Sequence, residues 1–146
     1  MKLTRYTDYA LRVLMHLAER PGRLASIAEI AGAYRISQNH LMKVVQDLGR
    51  AGFLDNVRGR GGGVRLARPA DAITVGEVVR VTEDDCPLVD CANCALAPGC
   101  GLTGALAEAR RAFFAVLDRY TIAQVAKRPE LASLLAPLPA EAGTQV

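Results

Sequence analysis

The sequence predicts a mainly α-helical fold with one small β-hairpin, and three observations lead to this expectation. In several segments apolar residues recur at three- and four-residue steps, which is the period of an amphipathic helix. Aromatic residues make up only 5% of the 146 residues and Trp is absent, so aliphatic side chains must fill the core. In the middle of the chain, two short extended segments flank a Gly-rich stretch, a pattern typical of a hairpin.

Two helices are predicted in the first part of the chain. The apolar residues of Thr7–Leu17 form one stripe, and Pro21-Gly22 ends this helix. Ser26 and Glu29 have the spacing of a capping box, in which each side chain accepts a hydrogen bond from the backbone of the other residue. A short second helix therefore begins at Ser26 and runs to about Ala31.

A third helix follows a tight turn at Tyr34–Ile36. Ser37 caps this helix, which runs from His40 to about Arg50, and Gly52 supplies its C-terminal stop. Two helices joined by such a turn form a helix-turn-helix, whose second helix can lie in the major groove of DNA and read bases with its N-terminal residues. The candidate groove-facing residues are Ser37, Gln38, Asn39, His40 and Lys43. The residues predicted to face the core are Leu41, Val44, Val45 and Leu48.

The hairpin is the expected wing of this DNA-binding module. Its strands are Phe53–Val57 and Gly63–Leu66, and the turn between them carries Arg58 and Arg60 among glycines. Glycines let the backbone approach a phosphate or enter a narrow A·T-rich minor groove, where Arg is favoured. Arg65 extends the basic strip along the second strand.

Charge and composition agree with a nucleic-acid partner for the first half only. Residues 1–70 hold 12 Lys/Arg and 5 Asp/Glu, whereas residues 71–146 hold 6 Lys/Arg and 10 Asp/Glu. A basic half beside an acidic half is typical of a chain that presents one surface to a polyanion. No secretory signal or membrane-spanning run is present, which predicts a cytoplasmic protein. No paired acid/base residues or nucleotide-binding glycine motif is apparent, so we do not expect an enzyme.

The second half predicts three further helices. The Thr74 and Glu77 pair is another capping box and begins a helix to about Thr82. A long helix runs from Leu102 to about Tyr120, and Thr121 caps a short one after it. The apolar stripe of the long helix consists of Leu102, Ala105, Leu106, Ala109, Phe113, Val116, Leu117 and Tyr120.

Four cysteines, at positions 86, 91, 94 and 100, lie between these helices in a segment with the spacing Cys-x4-Cys-x2-Cys-x5-Cys. Structural disulfides are rare in the cytosol, so cysteines this dense indicate metal binding or reactivity. Thiolates in one loop can converge on a soft metal or an iron–sulfur cluster. Zinc remains open, since four cysteines meet its tetrahedral demand.

With these motifs in place, the chain resembles a known family, the Rrf-type iron–sulfur repressors. The resemblance rests on Met1–Arg12, on the wing Arg58–Leu66 and on three cysteines before a long helix, and it covers residues 1 to about 127. Three further segments resemble the nitric-oxide-sensing branch of this family: Leu88–Cys91, Ala97–Cys100 and Leu117–Thr121.

The resemblance implies a homodimeric repressor that binds operator DNA and carries one iron–sulfur cluster per chain, either [4Fe-4S] or [2Fe-2S]. Cys91, Cys94 and Cys100 match the three family cysteines. In some members the fourth ligand is an acidic residue near the N-terminus of the partner chain, which corresponds here to Asp8. Nitric oxide is the implied ligand of the cluster.

Two departures from the family pattern bear on these ligands. The gap between Cys91 and Cys94 is shorter than usual in the family. Cys86 is additional to the three family cysteines, and it either replaces Asp8 as the fourth ligand or is not a ligand. The cluster-assembly regulators carry a His just beyond the third cysteine, whereas Gly101 follows Cys100 here, which disfavours that branch. An iron-, redox- or zinc-responsive repressor of the same fold stays an alternative.

These expectations divide the chain into three parts. Residues 1–70 form a winged helix-turn-helix DNA-binding domain, and residues 71–136 form the cysteine loop with the dimerisation helices. Residues 137–146 are expected to be a flexible tail.

Overall fold

The structure is a computed structural model that describes residues 2–83 and 88–127. Cys86 and the expected tail, residues 137–146, lie outside the described residues. The described part contains six α-helices and one two-stranded antiparallel sheet. The helices are α1 (Arg5–Ala18), α2 (Ile27–Tyr34), α3 (Gln38–Arg50), α4 (Val75–Thr82), α5 (Gly101–Leu117) and α6 (Ile122–Ala126), and the strands are β1 (Leu54–Val57) and β2 (Gly63–Leu66).

The N-terminal ends of α1 and α2 are set by local hydrogen bonds. Thr4 and Ser26 cap α1 and α2, each side chain accepting a bond from a backbone N–H three residues on. The prediction that α2 runs only to about Ala31 and stops near Gly32 is wrong, because the helix continues to Tyr34. It ends at Arg35, whose φ of 54° turns the chain into the left-handed region.

The helix-turn-helix is present, with two local differences from expectation. α3 begins at Gln38, two residues earlier than predicted, and Ser37 occupies its N-cap position. The Ser37 side chain makes no capping hydrogen bond, so its hydroxyl is left for another partner. Gly52, with φ of 82°, follows the end of α3 as predicted.

α1 is the central helix of one hydrophobic core. Ala10, Val13 and Leu14 are fully buried on it, and the helix packs against α3 on one side and against α4 and α6 on another. The four residues of α3 predicted to face inward are all buried. Ile73, Val78 and Ile122 belong to the same core cluster as these residues, so the two halves of the sequence share one core.

The wing packs at the edge of this core. Leu54 pairs with Leu66 and Val57 with Gly63 in antiparallel register. Val64 also exchanges backbone hydrogen bonds of 2.9 and 2.8 Å with Ala25, in the segment before α2. The base of the hairpin is therefore fixed to the segment before α2, whereas residues 58–61 at its tip are exposed.

Two backbone hydrogen bonds join the segment between α5 and α6 to the start of α4. Val75 N–H donates to the Tyr120 carbonyl and Ile122 N–H to the Ile73 carbonyl, both at 2.8 Å. The predicted capping of α6 by Thr121 is confirmed as a full capping box with Gln124. Arg80 forms a two-bond ion pair with Asp118, at 2.6 and 2.7 Å, which fixes the end of α5 against α4.

Candidate nucleic-acid interface and cysteine loop

The N-terminal face of α3 is open to solvent. Ser37, Gln38, Asn39 and His40 are all exposed, and so is Lys43 one turn further on. The opposite face of α3 is buried in the core, so packing holds the helix while these five side chains point away from the protein. The arrangement leaves amide, hydroxyl and ammonium groups available to base edges and phosphates.

Asp47 organises the charges on α3. Lys43 Nζ lies 3.2 Å from Asp47 Oδ2, and Arg50 Nη1 lies 3.4 Å from Asp47 Oδ1. The Tyr6 hydroxyl, on α1, donates a 2.7 Å hydrogen bond to the same carboxylate. This bond from Tyr6, helped by Lys43, holds the pKa of Asp47 below its usual value. Asp47 is therefore anionic and orients a predicted DNA-contacting residue.

The wing tip presents two arginines on a turn that only glycine permits. Gly59 and Gly61 have φ values of 95° and 73°, and a Cβ on Gly62 would collide with the Val57 carbonyl oxygen. Arg58 and Arg60 are exposed, and no ion pair to either appears within residues 2–83 and 88–127. Arg65 differs, because its Nε lies 3.5 Å from Asp55 Oδ2 on the neighbouring strand.

The cysteine loop lies at the N-terminal end of α5. Cys100 is the N-cap residue of α5 and has no side-chain capping bond, and Cys91 Sγ lies 3.6 Å from the Thr103 hydroxyl. Cys91 and Cys100 are half-buried, Cys94 is exposed, and all three are free thiols. A helix N-terminus favours negative charge, so thiolates are well placed there.

The described residues do not gather these cysteines into a metal site. No group of three or more His, Cys, Asp or Glu side chains within residues 2–83 and 88–127 is arranged to hold a metal ion. Asp8 lies on the first turn of α1 and is engaged with Arg12, whose Nε lies 3.0 Å from both carboxylate oxygens. The donor set of three free thiols is nevertheless the soft type that iron–sulfur clusters use.

The sequence analysis missed three residues that bond to the predicted sites: Tyr6, Asp47 and Glu83. A signal existed for Asp47 alone, because it lies four residues after Lys43 on the same helix, the spacing of a helical ion pair. Tyr6 reaches Asp47 across 41 residues, and Glu83 reaches the start of α1 across 79 residues. Such long-range bonds follow from the tertiary packing alone.

A helix-turn-helix with an exposed second helix and an Arg/Gly wing defines the class of winged-helix DNA-binding regulators. The chain belongs to the Rrf2 family: residues 3–128 match the family model described as an iron-dependent transcriptional regulator. It is therefore a transcriptional regulator and not an enzyme, as the sequence predicted. The family resemblance stated from the sequence is confirmed.

The chain is similar over most of its length to named regulators. It is 54% identical to the HTH-type transcriptional regulator NsrR of Bacillus subtilis, over 89% of this chain and 93% of the relative. It is 48% identical to the protein aau3 of Rhizobium meliloti, over 92% of each.

Solved structures support the predicted fold class. The oxidized form of CymR from Staphylococcus aureus matches with a TM-score of 0.72 at 27% identity, over 88% of this chain and 98% of that one. A structure of T. potens IscR matches with a TM-score of 0.72 at 26% identity, over 87% of each chain. Within the described residues, no helix is both long enough and apolar enough to cross a membrane.

Proposed function

We propose that this chain is a cytoplasmic, nitric-oxide-responsive iron–sulfur repressor that binds operator DNA as a homodimer. One observation carries the proposal. Three free, accessible thiols lie at the end of a long helix, in a regulator that is 54% identical to an NsrR. A regulator needs such a reactive group outside its core, where a small ligand can reach it.

Cys91, Cys94 and Cys100 are the residues that would hold the cluster, with Asp8 of the partner subunit as the fourth ligand. When bound, the cluster supplies iron with which nitric oxide can react. The residues of the chain itself supply the rest. The thiolates anchor the loop to the start of α5, and a carboxylate at the fourth position is more easily displaced than a thiolate.

DNA recognition is assigned to two elements. Gln38, Asn39 and His40 of α3 would contact base edges, while Ser37 and Lys43 would bond phosphates. Arg58 and Arg60, free of ion pairs among the described residues, would follow the minor groove, and Arg65 would leave Asp55 for a phosphate. The expected operator is A·T-rich and near-palindromic, because each half of a two-fold dimer reads one half-site.

The dimer is assigned to α5. None of its described residues is buried, and Leu102 and Val116 are 56% and 43% exposed although they lie on its apolar stripe. Such a continuous apolar stripe in a monomer marks a protein–protein contact. Residues 1–70 would thus serve DNA binding and residues 71–136 sensing and dimerisation, on a shared core.

The test is to purify the protein anaerobically and measure its absorbance, iron, sulfide and DNA binding. A duplex selected from random-sequence DNA by the cluster-loaded protein is the probe. We expect a brown protein that releases the duplex when a nitric oxide donor bleaches the cluster. Changing Cys91, Cys94 or Cys100 to Ala should give colourless protein with weak binding. DNA that stays bound after complete nitrosylation would show that the proposed sensing is wrong.

The same preparation tests a second candidate, a zinc- or thiol-responsive repressor. The free cysteines and the likeness to CymR, which was solved in an oxidized form, favour this alternative to an iron cluster. A colourless protein that contains zinc, or one whose DNA binding follows thiol oxidation, would establish it instead.

A further inference from the structure

The first turn of α1 is held from two sides by side chains of other elements. On one side, the carboxylate of Glu83 lies at its N-terminal end. Glu83 Oε1 accepts hydrogen bonds from Thr4 N–H at 2.8 Å, from the Thr4 hydroxyl at 3.0 Å and from the Thr7 hydroxyl at 2.5 Å. A carboxylate there also complements the positive end of the helix dipole.

Glu83 lies where the chain leaves α4 and enters the cysteine loop, a position that we call the root of the loop. It is the C-cap residue of α4 and the last described residue before the loop, three positions before Cys86. Thr7, which donates to it, is fully buried. Burial alone would raise the pKa of Glu83, but the bonds from Thr7 and Thr4 outweigh it and hold the pKa below its usual value. The root of the loop is therefore bonded to α1 by an ionised, part-buried carboxylate.

On the other side, the same turn is bonded to the recognition helix. Tyr6 lies between the two threonines in sequence, and its hydroxyl donates to Asp47 on α3 at 2.7 Å. Burial, followed by the bond to Asp47 and the charge of that carboxylate, raises the pKa of Tyr6, which keeps the phenol protonated as a donor. Asp47 in turn binds Lys43 on the groove-facing side of α3.

We infer that the first turn of α1 relays the state of the cysteine loop to the recognition helix, with Glu83 and Tyr6 as its positioning residues. The inference rests on the proposed function, because it assumes that the loop has two states. Asp8, the proposed ligand to the partner's cluster, follows Thr7 directly on this turn. A helical turn moves as a unit, and hydrogen bonds of 2.5 to 2.8 Å weaken steeply when a partner moves away. A change at either Asp8 or the loop root therefore reaches Asp47 and Lys43.

The relay is measured by a ratio of two affinities. The Kd for the selected duplex is determined for cluster-loaded protein and for the same protein after nitric oxide treatment. The ratio of these two Kd values measures how strongly the state of the cluster is coupled to DNA binding. A variant that merely perturbs the structure changes both affinities equally and leaves the ratio unchanged. We expect Tyr6→Phe and Glu83→Gln to keep the cluster absorbance of the wild type and to reduce the ratio about fivefold or more.

Matched variants separate the relay from general damage. Tyr9→Phe removes a hydroxyl from the same helix, and no hydrogen bond to the Tyr9 hydroxyl is found within the described part of the chain. Glu77→Gln alters a carboxylate on α4 that bonds Arg68 at 2.8 Å. Both should keep the wild-type ratio. Thr7→Val replaces the hydroxyl with a methyl group and so removes its bond to Glu83. If Glu83→Gln folds poorly, Thr7→Val should show the same reduced ratio in its place.

Two results would overturn the inference in different ways. If the wild-type protein binds the duplex with the same Kd before and after nitric oxide treatment, both the proposed function and the relay are wrong. A large wild-type ratio that persists in Tyr6→Phe, Glu83→Gln and Thr7→Val would leave the sensor in place and remove the relay alone. The double variant of Tyr6 and Glu83 should lower the ratio no further than the stronger single variant, since both interrupt one connection.

Discussion

At the scale of single residues, His16 is a buried side chain whose protonation the fold opposes. It is only 3% exposed, and its Nε2 lies 3.6 Å from Glu29 Oε1, too far for a hydrogen bond. Neither ring nitrogen has a hydrogen-bond partner within residues 2–83 and 88–127. Burial lowers the pKa of His16, the charges of Arg20 and Arg23 lower it further, and Glu29 opposes them only in part.

We predict that the protein loses stability on mild acidification through this residue. The folded pKa lies below the ordinary value of 6.5, so the unfolded chain binds the proton more readily. The stability that the protein gains from keeping His16 neutral is therefore fully present above pH 6.5 and decreases as the pH falls below that value. Unfolding midpoints measured from about pH 7.5 to about pH 5.5 should fall in the wild type and stay flatter in His16→Gln.

The control for this experiment is the other histidine of the chain, His40, which is exposed on α3. His40→Gln should keep the pH dependence of the wild type. If His16→Gln lost stability on acidification as steeply as the wild type, the assignment to His16 would be wrong.

Asp8 and Cys86 give a second prediction for single residues. With three cysteines as ligands, Asp8→Ala should change the absorbance of the cluster or its rate of reaction with nitric oxide, whereas Cys86→Ala should leave the cluster assembled. Asp71→Ala, an exposed acidic residue in the turn before α4, is the control. The opposite pattern, with Cys86→Ala colourless and Asp8→Ala normal, would place four cysteine ligands in one chain.

At the scale of elements, the sequence predicted what local chemistry determines. α1 and α3 have clear apolar periods, and the N-cap residues Ser26, Thr74 and Thr121 and the stop at Gly52 mark helix ends that the structure also shows. In the described part of the chain only the Thr121 pair forms the full reciprocal box, since no bond from the Ser26 or Thr74 N–H back to Glu29 or Glu77 is present there. α2 extends past Gly32 because its end depends on the turn at Arg35, where the N–H groups of Arg35 and Ile36 bond the last carbonyls. The contacts of Tyr6 and Glu83 join distant segments, so periodicity and capping could not reveal them. The cluster ligands came from the family resemblance and remain a prediction.

The wing is the element with the sharpest prediction. Arg60→Ala should weaken operator binding by about 1–3 kcal/mol if the side chain enters a groove. Removing both Arg58 and Arg60 should also reduce the slope of log K against log salt by about 2, because each cationic side chain held between the phosphates of the minor groove displaces roughly one condensed counterion. Arg119→Ala, an exposed Arg beyond the end of α5, serves as the control. Unchanged affinity for the double variant would remove the wing from the interface.

At the scale of the whole molecule, the exposed stripe of α5 predicts a dimer. Val116→Glu places a charge at a position that is 43% exposed in the single chain, so the monomer fold should tolerate it while the dimer interface should not. Sedimentation should show a monomer with at least tenfold weaker operator binding, because half-site contacts no longer add.

The neighbouring change Ala115→Glu adds the same charge at an exposed position about 100° around the helix, and it should leave a dimer. A wild-type protein that sediments as a monomer at micromolar concentration would contradict the assignment of α5.

The packing of α6 against α1 also has a consequence for biosynthesis. The core that surrounds α1 is complete only when Ile122 has left the ribosome, over a hundred residues after α1 itself. At ordinary translation speeds this delay lasts roughly 5 to 20 s. During that time part of the apolar face of α1 is uncovered, and the nascent chain offers it to chaperones. Cys91, Cys94 and Cys100 emerge before Ile122, so they leave the ribosome on a chain that has not finished folding.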